Sequence, residues 1–184
     1  MVISGWFVID YSHMKKSVII VMGVEDTEFS CPYYRLLEAG FAVDVAAKGK
    51  KNAPGKWDLP IPTTVDAESI RGTCYDLVVV SSGYEFPDRV RQMANRLEFL
   101  RAFESKKKII PSVWHGPWVF ISAGIVRGRR MTCYPGCKDD LINAGALYED
   151  VPVVAGVNLV MVPHFRNNPE WLKATLAACS ASFE

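Results

Sequence analysis

The sequence lacks the features that mark membrane-spanning and nucleic-acid-binding proteins. No apolar run approaches the roughly 20 residues that a membrane helix needs. Neither sign of charge is in excess, because 21 basic and 20 acidic residues give a formal net charge of +1. Nucleic acid and membrane are therefore not expected as partners. Repeats and low-complexity segments are also missing, so we expect one soluble globular domain.

A disulfide framework is not expected either. The number of cysteines is odd, their spacing is irregular, and 184 residues suffice for a core held by packing alone. We therefore predict a reduced, cytoplasmic protein. The cysteines are Cys31, Cys74, Cys133, Cys137 and Cys179.

The N-terminal stretch is a poor match to a secretory signal. Its apolar run, 1–9, has no basic region before it and is interrupted by Asp10. We interpret residues 1–14 as an extension, either disordered or upstream of the native start codon. The single domain is predicted to span residues 15–184.

Short apolar runs rich in β-branched residues alternate with helical patterns along the chain. Strands are predicted at 17–23, 41–46, 75–81 and 108–113, with shorter ones at 130–134 and within 151–162 around a break at Gly156. Helices are predicted at 32–39 with Ser30 as N-cap, at 88–106, at 117–125, at 138–144 and at 169–178. The lysine-rich loop 48–62 is interpreted as solvated, in preference to an anion site.

This alternation predicts an α/β sandwich with a mostly parallel central sheet. Ligands of such sheets bind at the carboxyl ends of the strands. Three loops lie at such ends: the loop after Gly23, the loop around Gly83, and the turn at Trp114 and His115.

Several segments carry a resemblance to a known superfamily. They are VEDTE at 24–28, PYYRL at 32–36, HGP at 115–117, ISAGIVRGR at 121–129, and the YPG, KDD and INAG motifs within 134–145. Together they resemble the PfpI-type members of the DJ-1/PfpI superfamily over about residues 17–160.

The resemblance implies a fold and a range of activities. The expected fold is a flavodoxin-like three-layer α/β sandwich, similar to the class I glutamine amidotransferase domain. The expected assembly is a homodimer or a higher homo-oligomer. Related activities include ThiJ and intracellular protease/amidase types, glyoxalases, deglycases, isonitrile hydratases and stress proteins. No cofactor is expected.

The resemblance also implies site residues. Glu28, with Glu25 beside it, matches the acidic loop whose carboxylate reaches the nucleophile. His115 matches the histidine that follows the nucleophile. Asp88 stands where a glutamate pairs with that histidine across the dimer interface. Tyr134 matches a tyrosine that lines the pocket.

The nucleophile position itself holds Trp114. The two oxyanion-hole donors match the backbone N–H groups of Gly83 and His115. Two further departures are Ser81-Ser82-Gly83 in place of a Pro-Gly-Gly pattern, and 162–166 in place of a Ser-Arg-x-Pro pattern. All these departures are expected to touch the pocket.

An indole offers one N–H donor and a large apolar face, and it has no thiolate for covalent catalysis. Trp114 is therefore interpreted as filling the pocket; the alternative is a stacking platform for an aromatic or cationic ligand. Cys31 is a candidate replacement nucleophile at a helix start, although a small buried hydrophobe is favoured. A metal site from Cys133, Cys137 and His164 would be incomplete.

These observations favour a non-catalytic or chemically diverged protein that acts through small-molecule binding or in a stress response. The alternative is a hydrolase or lyase on a small carbonyl, amide or isonitrile, with Glu28 and His115 activating water or Cys31. A third hypothesis is a purely structural assembly module that uses Asp88 at its interface.

Overall fold

A computed structural model describes residues 15–50, 52–71 and 74–181. The extension predicted at 1–14 lies outside the described residues. None of the described helices is long and apolar enough to cross a membrane.

A seven-stranded sheet forms the middle layer. Its strands are β1 (Lys16–Ile20), β2 (Ala42–Ala47), β5 (Val65–Asp66), β6 (Leu77–Val80), β7 (Ile110–Val113), β10 (Val154–Ala155) and β11 (Leu159–Val162). The strand order is β10-β11-β7-β6-β1-β2-β5, and all neighbouring strands are parallel except β10, which runs antiparallel to β11. The mostly parallel α/β sheet predicted from the sequence is confirmed.

Two small sheets complete the strand content of the described chain: the antiparallel β3 (Ala53–Pro54) and β4 (Pro60–Ile61), and the parallel β8 (Arg130–Met131) and β9 (Leu147–Tyr148). The helices are α1 (Asp26–Glu38), α2 (Phe86–Val90), α3 (Ala94–Ser105), α4 (Pro117–Ala123), α5 (Lys138–Asn143) and α6 (Asn168–Ala181).

Helices cover both faces of the sheet. Helix α1 packs against α6, while α4 packs against α2, α3 and α5. The four central strands β1, β6, β7 and β11 are consequently buried along almost their whole length. This double burial explains their continuous apolar sequences, which lack the alternation of a half-exposed strand.

The helix predicted at 32–39 is confirmed, but it begins six residues earlier than predicted, and the prediction of Ser30 as its N-cap was wrong. Its N-cap is Glu25, whose carboxylate accepts the N–H groups of Thr27 at 2.9 Å and Glu28 at 3.3 Å. Pro32 therefore lies inside the helix and cannot donate to the Glu28 carbonyl. The Ser81 hydroxyl donates to that carbonyl instead, at 3.2 Å.

The single long helix predicted at 88–106 was also wrong, because the structure has two helices, α2 and α3. Between them Met93 adopts an extended backbone at φ −97° and ψ 101°. Apolar residues on both sides keep helical spacing, since Val90 of α2 and Leu97 of α3 are seven residues apart and both pack into the core. A periodic pattern therefore did not reveal the break.

In sheets of this kind, ligands bind at the carboxyl ends of the strands, at the point where the strand order reverses. Strand β1 stands between β2 and β6, so the loops after β1 and β6 meet at its carboxyl end. Gly83 adopts φ +108°, and a Cβ there would come within 2.4 Å of the Gly23 carbonyl oxygen. The close approach of these loops therefore requires glycine at position 83.

Gly83→Ala and Gly124→Ala test this approach as a matched pair. Gly124 also has positive φ, at +72°, but nothing lies within 4 Å of its Cβ position. We expect Gly124→Ala to cost about 1–2 kcal/mol from backbone strain alone. Gly83→Ala should cost about 1–3 kcal/mol more because of the steric overlap. Urea denaturation measures both values, and equal losses would contradict the close approach.

Candidate functional site

A sharp turn between β7 and α4 carries Trp114. Its φ of +54° is unusual for a bulky side chain, and such strain persists only where neighbours enforce it. Its N–H donates to the Val162 carbonyl and its carbonyl accepts from the Tyr134 N–H, each at 3.1 Å. The strained turn is therefore held from β11 on one side and from the segment after β8 on the other.

The indole of Trp114 is half-buried among other rings. Its centroid lies 4.4 Å from that of His115 and 5.5 Å from that of Tyr134, which it meets edge-on. His164 and Phe165 each lie 5.9 Å away. Two residues of the 162–166 segment, His164 and Phe165, therefore lie beside the Trp114 ring, and neither lines the cavity on the other side of the indole.

Trp114 is not completely enclosed. One side of the indole lines a cavity of about 220 Å³ together with residues of α2 and the loop before it. Its Nε1 is buried and has no hydrogen-bond partner in the described chain. The ring therefore fills part of the elbow and also forms one wall of the cavity.

Glu28 is fully buried on α1. Its Oε2 accepts the Ser82 N–H at 2.7 Å, while its Oε1 is buried without a partner among the described residues. Burial raises the pKa of Glu28 to about 8, and the Ser82 N–H only partly opposes this effect. Glu28 is therefore mostly protonated at pH 7. Glu25, not Glu28, caps the helix.

Ser82 connects Glu28 to the elbow. Its hydroxyl oxygen accepts the His115 N–H at 3.1 Å, while its own N–H donates to Glu28. One of the two backbone donors predicted for an oxyanion hole is therefore already occupied inside the protein. The role of Ser82 was not predicted from the sequence, because a serine in a loop gives no signal of a partner 33 residues away.

His115 and Asp88 lie on the same cavity within one chain. Burial lowers the pKa of His115, and the negative charge of Asp88 acts in the opposite direction. Asp88 is exposed in the first turn of α2. Its predicted pairing with His115 across a dimer interface stays a prediction.

Lys56 is a site residue that sequence reasoning missed. Its N–H donates to the Val24 carbonyl at 2.8 Å, and its Nζ lies 5.8 Å from the Trp114 ring centroid. The Lys56 charge also lowers the pKa of Glu28, against the larger effect of burial. Nothing in the local sequence distinguishes Lys56 from the other lysines of this loop.

Cys31 does not occupy a helix N-terminus. It is the sixth residue of α1 and is half-buried. A helix N-terminus is therefore not present to activate this thiol as a replacement nucleophile. None of the five cysteines forms a disulfide. A hydrogen bond to Cys133 and burial raise the pKa of the Cys137 thiol.

The described part of the chain contains no group of three or more His, Cys, Asp or Glu side chains that could hold a metal ion. The groups available for chemistry at the strained elbow are thus the protonated carboxyl of Glu28, the neutral imidazole of His115, the amine of Lys56 and the surrounding aromatic rings.

The elbow lies at the carboxyl edge of a mostly parallel sheet and is joined through Ser82 to the buried Glu28, so the turn after β7 is the candidate site of this flavodoxin-like α/β protein. Comparison with known proteins specifies the class further: the model of the DJ-1/PfpI family matches residues 14–178. The chain belongs to the DJ-1/PfpI family.

Individual relatives agree with this assignment. A deglycase of Pyrococcus abyssi is 39% identical over 136 residues, which cover 74% of this chain and 81% of the deglycase. A two-domain protein of Anabaena variabilis with DJ-1/ThiJ/PfpI-like and ferritin-like domains superposes with a TM-score of 0.86 at 30% identity. That match covers 90% of this chain and 48% of the larger protein.

Drosophila melanogaster DJ-1beta superposes with a TM-score of 0.81 at 22% identity, covering 92% of this chain and 97% of the fly protein. This likeness extends the agreement in fold beyond the close sequence relatives.

Glu28→Gln tests the protonated carboxyl. The folded protein binds this proton more tightly than the unfolded chain, where the pKa has its ordinary value of 4.5. The resulting stabilisation is complete below that value and is lost as the pH rises through about 8. Relative to Glu28→Gln, the unfolding free energy of the wild type should fall by about 1.4 kcal/mol per pH unit within this window.

Urea denaturation of both proteins at intervals from pH 5 to 8 gives the comparison. Glutamine keeps the shape and the acceptor for Ser82 but cannot ionise. Parallel curves for the two proteins would show that Glu28 carries no buried proton.

Proposed function

We propose that this chain is a diverged DJ-1/PfpI protein in which Trp114 replaces the nucleophilic cysteine, and that it binds a small molecule at the elbow without thiol chemistry. The observation that carries the proposal is the indole on the strained turn after β7, at φ +54°. An indole cannot attack a carbonyl as a thiolate does.

The surroundings of the elbow support the same conclusion. Covalent attack at a carbonyl needs backbone donors for the developing oxyanion, and the Ser82 hydroxyl already accepts the His115 N–H. The Oε2 atom of Glu28 is engaged with Ser82. Ser82 thus engages both the Glu28 Oε2 atom and the His115 N–H group, while the cavity beside Trp114 remains open to a ligand.

A second candidate function is that of a hydrolase or lyase, in which Glu28 and a water molecule act on a small carbonyl or amide compound. The observation in its favour is the pKa of Glu28, which at about 8 lies close to a working pH. Names such as deglycase among the relatives agree with this chemistry. Cys31 is a weaker partner for it, because this thiol sits in mid-helix.

We further propose that the protein acts as a homodimer or larger homo-oligomer, in the cytoplasm and in a stress response. Asp88 is exposed beside the cavity and is available to a second subunit. Asp88→Ala should then lower the mass measured by light scattering, because a contact across the interface is lost. An unchanged mass would remove Asp88 from the interface.

Restoring the thiol tests the main proposal. Wild-type protein should show no consumption of methylglyoxal above a buffer control, whereas Trp114→Cys should form covalent adducts at position 114. Trp114→Cys combined with Ser82→Gly should turn over faster than Trp114→Cys alone, because the His115 N–H becomes available to the oxyanion. Loss of one such donor costs about 10²–10³-fold in other enzymes, which sets the upper range of the gain.

Trp57→Cys is the matched control, since Trp57 is an exposed tryptophan on a loop and its replacement adds a thiol outside the elbow. Robust wild-type turnover that disappears in Glu28→Gln would overturn the main proposal and establish the second candidate.

A further inference from the structure

A second cavity lies between α3 and the loop that follows β5. It measures about 400 Å³, which falls within the range of roughly 300–1,000 Å³ for ligand pockets. Its walls include Arg96 and Phe99 of the helix and Glu68, Ile70 and Arg71 of the loop. Among the residues that the structure describes, it shares no lining residue with the cavity beside the elbow.

Arg96 is a buried cation whose charge is incompletely compensated. Its side chain is only 4% exposed, and a guanidinium carries five N–H donors. Among the described residues, the sole acceptor for these donors is Glu68 Oε1, which lies 3.4 Å from Nη2. Charge-assisted hydrogen bonds are typically about 2.7–2.9 Å long, so this contact is weak. Burial accordingly lowers the pKa of Arg96, and the charges of Glu68 and Asp66 oppose this effect only in part.

Glu68 is itself shared with another donor. Asn95 Nδ2 donates to Glu68 Oε2 at 2.5 Å, and the Glu68 side chain is 48% exposed. The Glu68 carboxylate therefore lies closer to Asn95 than to Arg96. A buried charge without close partners is costly, so the Arg96 guanidinium provides a position at which an added anion is stabilised.

A second guanidinium and an apolar wall adjoin Arg96. Arg71 donates from Nη1 to the carbonyls of Glu68 at 3.1 Å and Ile70 at 2.9 Å, which holds its positive charge on the cavity wall. Phe99 and Ile70 are buried and line the same space with apolar atoms. The cavity thus combines positive charge with an apolar surface.

We infer that this cavity binds a small carboxylic acid with an apolar body, whose carboxylate pairs with Arg96 and whose body packs against Phe99 and Ile70. A carboxylate matches the planar fork of a guanidinium with two parallel hydrogen bonds. Glu98 also lines the cavity and is exposed, and its negative charge opposes an anion, so we expect moderate affinity. The inference is independent of the proposed function, because the elbow contributes no residue to this cavity.

Benzoate and its uncharged analogue benzamide form the decisive pair of probes. The two molecules share the ring and nearly the same shape, and they differ in the negative charge. We expect saturable binding of benzoate to the full chain, measured by calorimetry at pH 7 and constant ionic strength. Binding of benzamide should be roughly ten-fold weaker, because its hydrogen bonds to the guanidinium lack the second charge.

Glu68→Gln locates the site by strengthening it. Glutamine keeps the shape of the side chain and an acceptor for Asn95, but it removes the negative charge that competes for Arg96. Benzoate should therefore bind several-fold more tightly to Glu68→Gln than to the wild type. Glu170→Gln is the matched control, because it makes the same change of net charge on the exposed part of α6, outside the cavity, and should leave the affinity unchanged.

Arg96→Lys changes the opposite partner. Lysine keeps the positive charge but loses the planar fork, so benzoate binding should weaken several-fold. Arg101→Lys makes the same change on the same helix outside the cavity and should have no effect on benzoate binding. Urea midpoints measure the stability of each variant, and Glu68→Gln, which leaves Arg96 in place, decides the question if Arg96→Lys does not fold.

The outcomes are separate from those of the proposed function. No saturable binding of benzoate, equal affinity for benzoate and benzamide, or unchanged affinity in Glu68→Gln would each overturn the carboxylate inference. None of these results affects the methylglyoxal assay, which tests the elbow. Wild-type turnover of methylglyoxal would in turn overturn the proposed function and leave the carboxylate inference standing.

Discussion

The buried carboxyl of Glu28 is the interaction on which the geometry of the site depends. Its side chain accepts the Ser82 N–H and its main-chain carbonyl accepts the Ser81 hydroxyl, so α1 is joined to the end of β6 at two points. Ser82 then accepts the His115 N–H and carries the connection to the elbow. Three separate segments of the chain thus meet through buried or partly buried hydrogen bonds of 2.7 to 3.2 Å, which are costly to break without replacement.

This arrangement restricts the chemistry that the elbow can perform. The strained backbone at Trp114 has the geometry that would expose a nucleophile, yet the side chain is an indole. Ser82 occupies a donor that an oxyanion would need. The strained turn is therefore kept while one of its backbone donors is engaged, which is why we propose binding in place of thiol catalysis.

The Trp114 indole links the polar side of the site to the cavity on its other side. Rings from three loops surround it, and Lys56 reaches it from a loop between β3 and β4. Beyond the indole, Asp88 faces the same open space as His115. The similarity to a deglycase is one of sequence, at 39% identity over 136 residues; the aromatic cavity is described by the side chains of this chain.

The sequence by itself determined the parallel α/β sheet, because strands buried on both faces need continuous apolar runs that are visible locally. It also indicated Glu28 and the three loops, through strand ends and motif resemblance. Only the tertiary structure decided where α1 begins. Pro32 inside the helix leaves the Glu28 carbonyl without its helical N–H donor, and the hydroxyl of Ser81, which is distant in sequence, supplies that hydrogen bond. The roles of Ser82 and Lys56 likewise arise from contacts between loops far apart in the chain, which no local pattern encodes.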